Sequence, residues 1–165
     1  MVVDFRPQKE DPNRVRITAG GNLIKYAGEL TTRTADLTTP KMLWNSAIST
    51  EVARYMVLDI GNFYLETPMD ENKYMTMSLT SFLQHTIEQN NLDKSASDGQ
   101  VYLEIRKAIY GLPKAGALAN KHLKTFLAPA GYFEVEHTPG LWQHVTRPIQ
   151  FSLVVDDFGV KYVGK

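Results

Sequence analysis

Cysteine is absent from the 165-residue chain, which excludes disulfides and thiolate metal sites and leaves the compartment undecided. Net charge is absent as well, because eighteen basic residues balance eighteen acidic ones. No global field therefore advertises a polyanionic partner, although a local basic lining is compatible with zero net charge. No apolar run approaches the roughly 18 residues of a membrane span, so no membrane partner is expected. The opening Met1-Val-Val-Asp-Phe-Arg-Pro lacks the basic-then-apolar order of a signal peptide. Histidine stands only at positions 85, 122, 137 and 144, in unrelated contexts, which disfavours zinc. Repeats, low-complexity tracts and internal domain boundaries are missing too. What is left, 43% hydrophobic and 22% charged, is ordinary for one globular domain with a real core.

Hydrophobic period supplies the elements. Residues 1–12 hold two prolines and five charges with no apolar period, so they read as an irregular lead-in. From Arg14 to Ala19, arginines and threonine alternate with Val15, Ile17 and Ala19; Gly20-Gly21-Asn22 then offers a turn, and Leu23 to Tyr26 a returning strand. Thr39-Pro40 predicts a helix start ahead of Met42, Leu43, Ala47 and Ile48. Tyr55 to Ile60 is an apolar run broken only by Asp59, as in a buried central strand. Met75, Met77 and Leu79 alternate as a strand, Ser81 to Asn90 reads as helix, residues 92–100 as a surface loop, and Val101 to Ile105 as a strand. Helical spacing runs from Ala115 to Phe126 and should stop before Pro129 and Gly131. The last third is β-rich: strands at Phe133–Val135, Leu141–Val145, Ile149–Val155 and Phe158–Val163, with Asp156-Asp157 between the last two. The order predicts an α+β domain of mostly antiparallel strands with a few helices on one face.

Folding alone does not call for Asp59 inside Tyr55-Met-Val-Leu-Asp-Ile, nor for two adjacent carboxylates in Leu153-Val-Val-Asp-Asp-Phe158. A buried charge is costly unless paired or bound to metal. One acid at a strand end and two at a hairpin apex could converge, and hard cations, Mg²⁺ above all, suit such oxygen ligands. The alternative is that Asp156-Asp157 is a plain turn and Asp59 a strand-end cap, since aspartate is common in turns.

Three segments in order carry a family likeness. Asp59-Ile-Gly-Asn-Phe-Tyr64, Ile109-Tyr-Gly-Leu-Pro-Lys-Ala-Gly116 and Val154-Val-Asp-Asp157-Phe-Gly resemble motifs A, B and C of reverse transcriptases. The nearest likeness is to the copia-like polymerases of LTR retrotransposons, and it covers roughly residues 13–165. It implies the fingers–palm core of an RNA-directed DNA polymerase, with an antiparallel palm sheet covered by helices. About 1–50 would be part of the fingers and about 51–165 the palm with interspersed fingers segments. It also implies roles: Asp59, Asp156 and Asp157 as catalytic carboxylates holding two Mg²⁺ ions (or Mn²⁺), with the carbonyl of Ile60 as a further ligand. Tyr64, five residues after Asp59, would be the steric gate that rejects a 2′-hydroxyl. Arg16 would meet the triphosphate, a task suited to its planar fork, with Lys9 and Arg14 assisting. Lys114 and Gly116 would lie beside the nucleotide. Implied partners are a primer on an RNA or DNA template, dNTPs, and the rest of a Pol polyprotein (thumb, RNase H, integrase); an active copy would work in a cytoplasmic retroelement particle.

Departures from the pattern are specific. Lys114 stands where the family usually has glutamine, and Val154 where it usually has tyrosine. The chain stops eight residues after Asp157, so no thumb is expected within it, and the expectation is a partial polymerase domain, part of a polyprotein or a degenerate copy. Two other readings compete with an active enzyme: an inactive remnant that at most binds nucleic acid, and an unrelated α+β binding domain whose acids are turns.

Overall fold

The computed structural model describes residues 2–5, 7–8, 12–25 and 30–164; Lys9, Tyr26 and the side chain of Arg14 lie outside that description. The fold is mixed α+β with antiparallel sheets. Strand β1 (Val2–Phe5) pairs with β2 (Asn13–Arg16), so the arginine-bearing strand has a partner upstream, where a returning strand from Leu23 was expected; Leu23 to Lys25 form no strand. The lead-in has the material for this: Val2, Val3 and Phe5 are residues that favour strands. Downstream, Gly21–Leu23 curls into a short 3₁₀ turn. A Cβ on Gly21 would run into the carbonyl oxygen of Gly111 and the ring of Pro113, so only glycine lets this turn pack so close to the 111–113 loop.

A five-stranded antiparallel sheet has the order β3 (Ala53–Asp59), β9 (Asp157–Val163), β8 (Ile149–Val154), β7 (Leu141–His144) and β6 (Tyr132–Glu134). Strand β3 was expected at the buried centre and instead forms an edge, with Val57 67% exposed. An apolar run states that a segment is hydrophobic but not where in a sheet it sits. The β8–β9 hairpin takes the central place because its two strands alternate: Phe151, Leu153, Phe158 and Val160 go to one face, Ser152, Gly159 and Lys161 to the other.

Those two faces recruit different helices, where a single covered face was expected. On the apolar face, Leu123 and Leu127 of α4 (Ala115–Leu127) pack over Trp142, Phe151, Leu153, Phe158 and Val160. On the other face lies α1 (Thr38–Ile48), tied down by the Lys161 ammonium donating to the Ser46 and Thr50 hydroxyls at 2.6 and 2.8 Å. Asp36 caps α1, accepting from the amide and hydroxyl of Thr39 at 2.9 and 3.0 Å, so the predicted cap residue is the donor and the cap lies one turn earlier. The two helices hold the sheet from both sides, and α1 reaches β3 through Trp44, whose ring lies 5.0 Å from that of Tyr55.

A second unit completes the molecule. Strands β4 (Pro68–Ser78) and β5 (Gln100–Lys107) form a long antiparallel ribbon. It is joined by α2 (Gln84–Asn90) and the short α3 (Leu92–Ser95), the latter inside the segment expected to be loop. Ile105, Ala108, Leu112 and Ala115 make a second core beneath it, with Met69, Met75 and Tyr64 against them. Among the described residues, no helix is long and apolar enough to cross a membrane.

Candidate active site

The pairing of β3 with β9 brings the acids together. Asp59 and Asp157 are direct cross-strand partners, so their side chains share one face of the sheet. Val154 pairs with Asp157 to close the β8–β9 hairpin, which leaves Val155 and Asp156 as its two turn residues. The Ile60 amide donates to the Asp156 carbonyl at 3.1 Å and fastens the end of β3 to that turn. Val155 has φ 60°, a left-handed conformation that a β-branched residue rarely adopts and that two-residue hairpin turns normally fill with glycine or asparagine. The turn that presents Asp156 is therefore strained at its first position.

Asp59 and Asp157 are exposed and Asp156 is half-buried, so the expectation of a carboxylate deep in a central strand does not hold. The electrostatics are nonetheless those of a coupled cluster. Burial raises the Asp156 pKa above the usual aspartate value; the neighbouring charges of Asp157 and Asp59 raise it further, while its own backbone amide and the Arg16 guanidinium pull the other way. Arg16 therefore lies within electrostatic reach of the acids. It ends β2, and its guanidinium carbon sits 5.1 Å from the centre of the Tyr110 ring. Its Nε is buried without a hydrogen-bond partner.

Tyr64 sits in a short 3₁₀ turn, Phe63–Glu66, that follows β3. Its ring meets Tyr110 edge-on, with centroids 5.0 Å apart and planes at 85°. Burial raises its phenol pKa, and the Asp156 charge adds to the effect. A cavity of ≈ 340 Å³ is lined by Tyr64, by Tyr110, Gly111, Pro113 and Gly116, and by Val155. All three sequence segments that carried the family likeness thus contribute to one cavity. Gly116 leaves open space where a side chain would be. Gly111, at φ +90°, lies so close to the backbone of Ala19 that a Cβ would collide with it.

Lys114 turns elsewhere. Its ammonium reaches Glu71 at 2.9 Å and Asp70 at 3.9 Å, both on β4, and its side chain is only 17% exposed. Lys73 joins the same Glu71 carboxylate at 2.8 Å, and hydrogen bonds from Lys73 and Lys114 hold the Glu71 pKa down to about 2. Sequence reasoning missed Asp70, Glu71 and the role of Tyr110 as a hub. The acids carried no signal, since an Asp-Glu pair in a polar stretch resembles any solvated strand; Tyr110 lay within the second motif without a partner to reveal it.

Carboxylate oxygens suit a hard divalent cation. As the side chains stand, no three of His, Cys, Asp and Glu among the described residues are arranged to hold a metal ion. The donor chemistry fits; a ready-made cage is not formed among them. No protein-family model matches the chain, and no solved structure matches it.

Proposed function

We propose that the chain is the fingers–palm core of a copia-like reverse transcriptase, which extends a primer 3′-hydroxyl with dNTPs on an RNA or DNA template as part of a Pol polyprotein. The observation that carries this reading is the shared cavity: segments around residues 64, 110–116 and 155, far apart in the chain, line it together. The cross-strand pair Asp59–Asp157 and the half-buried Asp156 adjoin Val155, which lines that cavity, and the Asp156 charge is felt at Tyr64.

In this reading Asp59, Asp156 and Asp157, with the Ile60 carbonyl, would hold Mg²⁺ (or Mn²⁺). When bound there, the metals would acidify the primer hydroxyl and stabilise the charge of the departing pyrophosphate. The chain's own groups do the rest. Arg16, held beside Tyr110, offers planar donors to phosphate oxygens. Tyr64 walls the cavity where the sugar would lie, and its bulk excludes a 2′-hydroxyl. Gly116 leaves room for the nucleotide to approach closely. Lys114 serves first as a tie between α4 and β4, and meets a phosphate only by exchanging Glu71 for it.

Steady-state incorporation of dTTP and UTP opposite a templating adenine tests the gate. Tyr64→Ala is expected to raise UTP incorporation relative to dTTP by at least about tenfold, the scale on which relieving one steric clash changes discrimination in a specificity pocket. Equal discrimination in wild type and variant rules out the gate. A second reading, a silent remnant that at most binds nucleic acid, is favoured by the lack of a cation-ready ligand group among the described residues. It predicts nucleic-acid binding without any Mg²⁺-dependent nucleotide addition.

A further inference from the structure

Tyr110 is the meeting point of the site. Its ring carries the Arg16 guanidinium at 5.1 Å and abuts the Tyr64 ring edge-on at 5.0 Å. It lines the ≈ 340 Å³ cavity and also a second one of ≈ 410 Å³ that Arg16, Val15 and Met75 border, so both cavities meet this one residue. Its backbone is clamped: the Tyr110 carbonyl accepts from the Ala19 amide at 2.8 Å, and Gly111 presses on the backbone of Ala19. Fully buried Ala108 and buried Leu112 anchor the segment on either side. Arg16, by contrast, has no hydrogen-bond partner at its buried Nε, and its guanidinium lies against the Tyr110 ring.

We infer that Tyr110 is a positioning residue, whose ring orients the Arg16 guanidinium and the Tyr64 ring together and so sets where a nucleotide's triphosphate and sugar meet the protein. That Tyr110 holds the two groups rests on these contacts alone; what the two groups then do rests on the polymerase reading. The ring is needed and the hydroxyl is not, because both contacts are made by the π-system. Removing the ring therefore loosens phosphate and sugar recognition at once, while a phenylalanine preserves both.

The test uses the whole chain with Tyr110→Phe and Tyr110→Leu, and Tyr110→Met should the leucine variant not fold. Without any ligand, the Arg16 Nε–Hε resonance and the Tyr64 ring resonances report the two contacts through ring-current shifts. Both sets should be kept in Tyr110→Phe and should move toward unstructured values in Tyr110→Leu, while the Trp142 indole resonance stays in place. With primer–template and Mg²⁺, Tyr110→Leu should raise the KM for dTTP about tenfold and lower dTTP-over-UTP selectivity about tenfold, with kcat changed by no more than about threefold, the range one desolvated cation–aromatic interaction commands. Tyr110→Phe should leave both within about twofold, as expected if only the ring matters. Unmoved Arg16 and Tyr64 resonances in the leucine variant overturn the inference. So does an equal loss in both variants, which would assign the effect to the hydroxyl. A wild-type chain with no dTTP-dependent signal would instead sink the polymerase reading, and the resonances would still decide whether Tyr110 positions its neighbours.

Discussion

Asp156 carries the clearest consequence at the scale of single residues. Its pKa is raised in the folded chain, chiefly by burial and then by Asp157 and Asp59. A carboxyl whose folded pKa exceeds its unfolded value weakens the fold once it ionises. The penalty is absent below the unfolded aspartate pKa, grows as pH rises through the interval up to the folded value, and is fully present at neutral pH. Asp59 opposite Asp157 adds a like-charge cross-strand pair of the kind that destabilises a sheet. Asp156→Asn should therefore raise the melting temperature at pH 7 by a small amount, no more than about 1–2 °C, because solvent screens much of the repulsion at a partly exposed carboxylate. The gain should vanish near pH 3, and the same variant should lose nucleotide addition. A melting temperature lower than wild type at pH 7 would show that the carboxylate supports the fold. The strained backbone of Val155 adds a second cost at the same turn.

Among the elements, what the sequence made legible follows from period and punctuation. Helix α4 was readable because Ala115 to Phe126 keep helical spacing and Pro129 and Gly131 end it. The β8–β9 hairpin was readable because apolar strands flank two aspartates. Strand β1 was hidden by the prolines and charges around it, and the edge position of β3 by its own hydrophobicity, since pairing order is decided by partners elsewhere in the chain. In the candidate site, the three acids, Tyr64 and Arg16 were named from motif position, and the fold gathers them. The partner of Lys114 was not readable, because Glu71 lies 43 residues away on another element. That ion pair ties α4 to the β4–β5 ribbon and is open to a direct check. In Lys114→Gln, the Glu71 pKa, now about 2, should rise yet stay below the ordinary glutamate range, because Lys73 still donates to it. The stability Glu71 contributes is present above its unfolded pKa and is lost as pH falls through its folded one, so in the variant that loss should begin at a higher pH. Carboxyl titration of Glu71 by NMR measures it, and an unchanged value would mean that Lys114 is not coupled to the ribbon.

Viewed as a whole molecule, the chain builds its candidate site where its two units meet. The five-stranded sheet and its β8–β9 turn supply the acids, the loop after β5 supplies Tyr110 and Gly111, and the first turn of α4 supplies Gly116. The 3₁₀ turn after β3 supplies Tyr64 between them. A net charge of zero leaves long-range attraction of nucleic acid weak, so recognition has to come from local groups such as Arg16. The polymerase reading stands or falls on whether Asp59, Asp156 and Asp157 form a divalent-cation site, although no cage is preformed among the described residues. Paramagnetic broadening of the isotopically labelled chain by substoichiometric Mn²⁺ decides this. Selective loss of the amide signals of residues 59–61 and 155–158 is expected, reversed by excess Mg²⁺ and absent in Asp156→Asn. Broadening centred on Asp70 and Glu71, or spread evenly over the surface acids, would contradict it.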